Sequence, residues 1–248
     1  SVSDHRTLEC ISFQIEAGDD LIGNQEWRGV PIATLLAEAG VQPGATHVLW
    51  EAADGYTEST PLEVALDELS WIAYEMGGAP LTAEHGYPAR VMIAGRFGMK
   101  QPKWVTRLQL ADHDEAGYWE QRGWDRDAIV RTMSRIDLPR AGDTVRVGVP
   151  FTAFGIAYSG DRGIARVELS PDDGATWLDA ELEDISEPPL GEHTWVRWRV
   201  PVTIAEQGSR RLVVRATDGA GQTQDGASRP PLPSGSTGWH AARITVVA

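Results

Sequence analysis

The sequence predicts an α+β chain: a mixed α/β first domain followed by an all-β sandwich. Three observations carry this. Helix and strand signals mix up to about residue 125, and helix signals fade after Pro139. Short β-rich runs then recur, separated by turn signals. The 248 residues, 42% hydrophobic and 23% charged, can build two ordinary hydrophobic cores.

In the first domain, Val30-Pro-Ile-Ala-Thr-Leu-Leu-Ala-Glu-Ala reads as a short helix entered by a turn at Trp27 and stopped at Gly40. Pro61 to Leu69 carries Leu62, Ala65, Leu66 and Leu69 at helical spacing and predicts a second short helix. Strands are expected at His47–Ala52, Ile72–Glu75, Ala89–Ala94 and Trp104–Leu110. A linker spans about Asp125 to Arg140, giving domains at residues 1–128 and 129–248. Beyond it, strands are expected at Thr144–Val149, Thr152–Tyr158, Ile164–Ser170, Thr194–Val202, Arg211–Thr217 and Ala241–Val247. Pro139-Arg-Ala-Gly, Pro171-Asp-Asp-Gly and Asp218-Gly-Ala-Gly supply turns. This spacing suggests an immunoglobulin-like sandwich, without the cysteine pair of antibody domains.

The formal charge is −14, from 36 acidic and 22 basic residues. A field of that sign repels phosphate backbones, so nucleic acid is not an expected partner. No apolar stretch approaches the ~18 residues a membrane helix needs, and no signal peptide opens the chain. One cysteine, Cys10, excludes an internal disulfide framework and an all-cysteine zinc site. Taken alone, Cys10 is a buried small hydrophobe, a free nucleophile or a single metal ligand. The ten tryptophans and Met76 read as packing residues.

Four stretches narrow these choices. They are Thr7-Leu-Glu-Cys10-Ile, with Leu21-Ile-Gly-Asn-Gln-Glu-Trp27 following; Asp54-Gly-Tyr56-Thr-Glu-Ser-Thr-Pro; Ala73-Tyr-Glu-Met-Gly-Gly-Ala-Pro, leading to His85-Gly-Tyr-Pro-Ala-Arg90; and Gly95-Arg-Phe-Gly-Met-Lys100-Gln101-Pro-Lys103-Trp-Val. Arg90, Lys100 and Lys103 around a glycine-rich loop form a local basic patch in an acidic chain, the donor type that holds a phosphate. The order and spacing of these stretches resemble the molybdopterin-binding domain of the sulfite-oxidase superfamily. Gly238-Trp-His240 resembles the close of that family's immunoglobulin-like dimerisation domain.

The resemblance implies a molybdopterin-dependent oxidoreductase transferring an oxygen atom to or from a small substrate, sulfite or a sulfoxide. It implies Cys10 as the protein ligand to molybdenum and, with Tyr56 facing the substrate, as a catalytic residue. It implies Asp54, His85, Arg90, Lys100, Gln101 and Lys103 as cofactor contacts. Trp27 and Asn24 fit pterin-lining, packing and turn roles equally. No haem or flavin motif is present, so electrons are expected to pass to a separate carrier, a cytochrome or the quinone pool. A homodimer through the second domain and an extracytoplasmic setting are also implied.

Two departures matter. Sulfite oxidases proper follow the ligand cysteine with Ala-Gly-Asn-Arg-Arg and close on Trp-His-Arg; here Ile11-Ser-Phe-Gln-Ile15 and Trp239-His240-Ala241 stand instead. Two contributors to a cationic sulfite pocket are therefore missing, with Arg28, Arg96 or Arg243 as substitutes. Only nine residues precede Cys10, which implies an N-terminally truncated first domain, a possible upstream membrane anchor, and a chain that is without cofactor as it stands. The competing reading is a non-catalytic, cofactor-free dimerisation or interaction module. A cysteine-nucleophile enzyme lacks a recognisable base.

Overall fold

A computed structural model of the chain describes every residue except Asp19. The chain forms two compact units. The first comprises Ser1–Ile11, Ile22–Val130 and Leu232–Ser234; the second comprises Ser12–Leu21, Arg131–Pro231 and Gly235–Ala248. Among the described residues no helix is long and apolar enough to cross a membrane.

The first unit holds β1 (Val2–Glu9), β2 (Ile22–Pro31), α1 (Ile32–Ala39), β3 (His47–Ala52), β4 (Thr57–Pro61), α2 (Leu62–Ala65), β5 (Trp71–Met76), β6 (Arg90–Met92) and β7 (Val105–Ala111). One antiparallel sheet runs β1-β2-β5, and β5 pairs on its other edge with β6 and with Ala79–Pro80. A second, β4-β3-β7, is also antiparallel. Helix α1 buries Ile32 and Leu36 in a cluster with Val48, Trp50, Ala65, Val91 and Ile93. Gly40, at φ 82°, ends it by donating its N–H to Leu36 O, as the sequence predicts. The predicted Pro61–Leu69 helix is shorter, Leu62–Ala65. Asp67 Oδ1 accepts the Leu69 N–H at 2.8 Å and turns the chain, and Ser70 Oγ ties back to Val64 O at 2.7 Å. Strands β1 and β2 were not expected, because Asp4, His5, Arg6 and Asn24, Gln25, Glu26 hide the alternation.

The second unit holds β8 (Met133–Leu138), β9 (Thr144–Arg146), β10 (Phe151–Tyr158), β11 (Ile164–Ser170), β12 (Val196–Val202), β13 (Gly208–Asp218) and β14 (Ala241–Val247). Its sheets run β9-β14-β13-β11 and β8-β10-β12, with Leu178–Asp179 and Glu181–Leu182 added at their outer edges. Only the β9–β14 pair is parallel among those described. Ala153, Trp198 and Val200 from one sheet meet Leu169, Leu212 and Ile244 from the other, so the sandwich core lies between them. Trp198 satisfies its indole by donating to Ile156 O at 3.1 Å. Strand β8 lies inside the expected linker: Met133, Ser134 and Ile136 are buried, and Ser134 Oγ donates to Gln224 Oε1 at 2.7 Å. Ser12–Leu21 belongs here because Phe13 and Ile15 are buried and both bind Ser236: its Oγ donates to Phe13 O and accepts from Ile15 N.

His240 is largely buried. The Ile136 N–H donates to its Nδ1 at 3.0 Å, which leaves the ring proton on Nε2. Desolvation, then Arg135, lowers its pKa to about 4. The unfolded chain therefore binds a proton below about pH 6.5 that the fold refuses. Stability attributable to His240 is complete above pH 6.5 and falls toward pH 4, by at most ~1.4 kcal/mol per pH unit. Urea titrations across this window should show the slope, and His240→Gln should flatten it.

The β2–β5 pair carries a bulge between Arg28 and Gly29. A Cβ on Gly29 would lie 2.5 Å from Ile72 O, whereas one on Gly23, in the same strand, meets open space. Gly29→Ala should cost about 1–3 kcal/mol in chemical unfolding, and Gly23→Ala less than about 0.5.

A candidate cofactor site in the first unit

Past β6 the chain runs through Gly95 (φ 60°) into a single 3₁₀ turn, Gly98–Lys100, with Phe97, Met99, Lys100 and Gln101 buried. Several site residues predicted from sequence converge on this turn.

Lys100 points inward. Its side chain is 3% exposed and its Nζ donates to Glu58 Oε1 at 2.5 Å and to Glu120 Oε1; the two carboxylate side chains are 0% and 2% exposed. Glu58 Oε1 also accepts the Ser59 N–H at 2.7 Å, and Glu120 Oε2 the Gly117 N–H at 2.6 Å. Burial pushes the Glu58 carboxyl well above the usual carboxylate range, with Lys100 opposing and Glu120 adding to the rise. Tyr56 sits beside this group. Its hydroxyl donates to Met99 O at 2.5 Å and lies 3.5 Å from Glu58 Oε2. Asp54 shapes its loop by accepting the Tyr56 N–H at 3.0 Å. Burial, then Glu58 and Glu120, raise the Tyr56 hydroxyl far above the ordinary phenol range, so it is a protonated donor at physiological pH.

Arg90 is buried on β6 with its guanidinium 5.1 Å from the Trp27 ring. Its terminal nitrogens donate at long range to His85 O (3.4 Å) and Gln101 O (3.5 Å), and desolvation lowers its pKa to about 10. No carboxylate among the described residues pairs with it. Three neighbouring buried atoms also lack partners among the described residues: Arg90 Nε, Trp27 Nε1 and Gln101 Oε1. Gly86 (φ 108°) packs where a Cβ would stand 3.0 Å from Lys103 Cβ and 3.1 Å from Arg90 Cβ, drawing both basic residues to the His85 turn. His85 is exposed, its Nδ1 2.8 Å from Thr82 Oγ1. Lys103 donates to Glu84 O at 2.9 Å and lies over the Trp104 ring. Trp104, at φ 53°, is held in that sparsely populated conformation by donating its indole N–H to Ala83 O at 2.7 Å.

Cys10 follows β1 directly and is exposed, so it is not a packed core thiol. A Cβ on Gly98 would contact Glu9 O at 3.4 Å, so β1 delivers Cys10 to the edge of the same turn. Glu9 itself is fully buried, and desolvation raises its carboxyl to about 8. Among the described residues no three His, Cys, Asp or Glu side chains are grouped to hold a metal ion.

The structure thus gathers Tyr56 and Lys100 around Glu58, and His85, Gln101 and Lys103 around Arg90. Lys100, expected to contact the cofactor, instead has its ammonium enclosed by two carboxylates. Glu9, Glu58 and Glu120 went unnoticed in the sequence. Glu58 lies in a polar Thr-Glu-Ser-Thr run and Glu120 among exposed aromatics, and nothing local marks either as buried. Of the proposed substitute cations, Arg28 pairs weakly with Glu75 at 3.5 Å, and Arg243 reaches Ser209 Oγ at 3.5 Å. Arg96 is half-buried at the start of the turn.

Comparison with known proteins decides the family. The oxidoreductase molybdopterin-binding domain matches residues 1–119, and the Mo-co oxidoreductase dimerisation domain matches residues 127–246. Mitochondrial sulfite oxidase of Drosophila melanogaster is 35% identical over 241 residues, covering 84% of this chain and 42% of that protein. The chain belongs to the sulfite oxidase superfamily. An inducible NADH nitrate reductase of Glycine max is 31% identical over 251 residues, covering 84% of this chain and 28% of that protein. The chain thus spans less than half the length of either relative. The structure of the sulfane dehydrogenase SoxCD from Paracoccus pantotrophus shares the fold, with a TM-score of 0.80 at 24% identity, covering 100% of this chain and 72% of that chain.

The cofactor of this family's binding domain is a molybdenum-bearing pyranopterin, and the residues present fit it. A buried guanidinium without a carboxylate suits a phosphate, and unpartnered indole N–H and amide oxygen atoms suit a polar heterocycle. An exposed cysteine suits a metal whose other donors come from the cofactor.

Lys100→Met should leave two buried carboxylates uncompensated and destabilise the first unit by about 3–5 kcal/mol, read by urea unfolding.

Proposed function

We propose that this chain forms the molybdopterin site of an oxygen-atom-transfer oxidoreductase of sulfite-oxidase type, with Cys10 as the protein's ligand to the metal. The observation that carries the reading is Arg90: among the described residues it is a buried cation with no carboxylate partner and an unpartnered Nε, with the unpartnered Trp27 and Gln101 atoms beside it. Arg90, Lys103 and His85 would hold the cofactor's phosphate and pterin, with Gln101 and Asp54 shaping the surrounding loops. Lys100 would support the turn from behind.

Bound there, the cofactor supplies a centre that exchanges an oxygen atom and an electron pair with a small substrate, sulfite or a sulfoxide. Cys10 contributes the thiolate, and its exposure leaves it reachable. Tyr56 keeps its proton, and its hydroxyl would donate to a substrate oxygen on turning away from Met99 O. Electrons would leave or arrive through a separate carrier protein or quinone. The second unit would pair two copies, as its domain family's name indicates.

Protein made in a host that synthesises the cofactor should contain about one molybdenum and one pterin per chain. Cys10→Ser should remove molybdenum-dependent turnover, and Arg90→Ala should reduce pterin content by roughly tenfold or more. Wild-type-like metal and turnover in Cys10→Ser would overturn the ligand assignment. A well-folded protein that takes up no molybdenum would favour the interaction module.

A further inference from the structure

Most arginines of the first unit are neutralised where they stand. Arg6 pairs with Asp4, Arg28 with Glu75, Arg107 with Glu51 and Arg126 with Asp114. Arg122 is exposed, and among the described residues no carboxylate pairs with it. Its guanidinium lies 3.5 Å from the centroid of the Tyr118 ring and donates through Nη1 to Tyr118 O at 2.6 Å. A guanidinium has five N–H donors, and this bond uses one.

The ring beneath Arg122 is itself fixed. Trp119 meets Tyr118 edge-on, with centroids 5.0 Å apart. The Tyr118 N–H donates to Thr57 O at 3.0 Å, and a Cβ on Gly117 would lie 2.7 Å from the same oxygen. Glu120 ties this turn to Lys100. Tyr118 also stands 5.8 Å from Tyr56, centroid to centroid. Contacts of 5.8 and 3.5 Å, taken end to end, keep the guanidinium within about one Debye length of the Tyr56 ring, ~10 Å at 0.1 M salt. Tyr118 and Trp119 are 39% and 41% exposed. As a mount for Arg122 they have a reason to stand at the surface and not in a core.

The field around Tyr56 makes a nearby cation consequential. Glu58, Glu120 and Asp54 all disfavour negative charge at the Tyr56 oxygen, and Lys100 is enclosed by two of them. The arginines that sulfite oxidases proper place after the ligand cysteine and after Trp-His are absent from this sequence. An oxyanion arriving at Tyr56 therefore needs a cation from another position.

We propose that Arg122, mounted on Tyr118 and Trp119, captures a small oxyanion substrate beside Tyr56, which makes the site one for an anion such as sulfite and not for a neutral sulfoxide. Turnover of that anion rests on the molybdopterin reading above; its binding does not. The planar guanidinium matches two oxygens of an oxyanion, and stacking on Tyr118 fixes its direction. Capture precedes chemistry, so the effect of Arg122 falls on KM. Besides Arg90, Arg96 is the remaining arginine of this unit without a carboxylate among the described residues, and it serves as the comparison.

Binding is tested on the chain without cofactor. Sodium sulfate is the probe, an oxyanion that undergoes no turnover. In a magnetic-resonance titration at constant ionic strength against sodium chloride, the Arg122 Nε–H and the Trp119 indole N–H should shift saturably in the millimolar range. Arg122→Gln should abolish the Trp119 shift. Tyr118→Leu, which keeps the charge and removes its mount, should weaken binding several-fold. No saturable Trp119 shift in wild type, or the same shift in Arg122→Gln, would overturn the site. Sulfate that moves the Trp27 indole and leaves Trp119 still has bound at Arg90, and counts equally against it.

Kinetics on cofactor-loaded protein test the use of that site. Arg122→Gln should raise KM for sulfite roughly tenfold with kcat within about twofold, and Arg122→Lys should recover part of the loss. In wild type kcat/KM for sulfite should fall as salt rises, and Arg122→Gln should flatten that slope. KM for dimethyl sulfoxide should change less than about twofold. An unchanged KM for sulfite, or a rise in Arg96→Gln and none in Arg122→Gln, defeats the assignment. Loaded protein that reduces the sulfoxide and leaves sulfite untouched also defeats it, with the molybdopterin reading intact. Loaded protein that turns over neither counts against that reading, and the sulfate titration alone then decides whether Arg122 holds an anion.

Discussion

The first unit's site depends on burying one lysine between two glutamates. Lys100 has no water to solvate it, so its position is dictated by Glu58 from β4 and by Glu120 from a distant turn. Such a group is costly to assemble and costlier to break, since loss of any member strands a charge in the interior. It therefore specifies where the Gly98–Lys100 turn lies. That turn in turn supplies Met99 O to Tyr56, Gln101 O to Arg90, and a close approach to the end of β1 that brings Cys10 to its edge.

Arg90 shows the complementary strategy. The fold satisfies Lys100 completely and leaves Arg90 deficient, with two long hydrogen bonds, one indole face and an open Nε. Native interiors rarely tolerate such a deficit unless something else completes it. A phosphate-bearing cofactor would do so, and the membership of this chain in a molybdopterin-binding superfamily supplies that chemistry. One cation is committed to the fold and another held ready for a ligand, although the sequence shows both as members of a single basic patch.

Among its described residues the second unit carries no comparable deficit. Its sheets close over Trp198, Leu169, Leu212 and Ile244, and His240 stays neutral because burial and Arg135 disfavour its charge. Ile11 to Ile15, which replace the basic run of sulfite oxidases proper, alternate buried Ile11, Phe13 and Ile15 with polar residues.

Much of this was legible without coordinates. The order of motifs identified the family, the turn signals spaced the sandwich strands, and Gly40 marked the end of α1, because these features act through neighbours in sequence. Strand β8 was hidden in an expected linker and β1 in a charged run, because their alternation is completed by cross-strand partners. The sequence by itself pointed to a molybdopterin-binding family and singled out one cysteine, one histidine turn and a cluster of basic residues. Only the tertiary structure decided that Cys10 is exposed, that Lys100 is sealed between Glu58 and Glu120, and that Arg90 is the cation left open. The reason is that solvation and charge pairing are set by residues far apart along the chain, and a side chain's chemistry follows from what surrounds it.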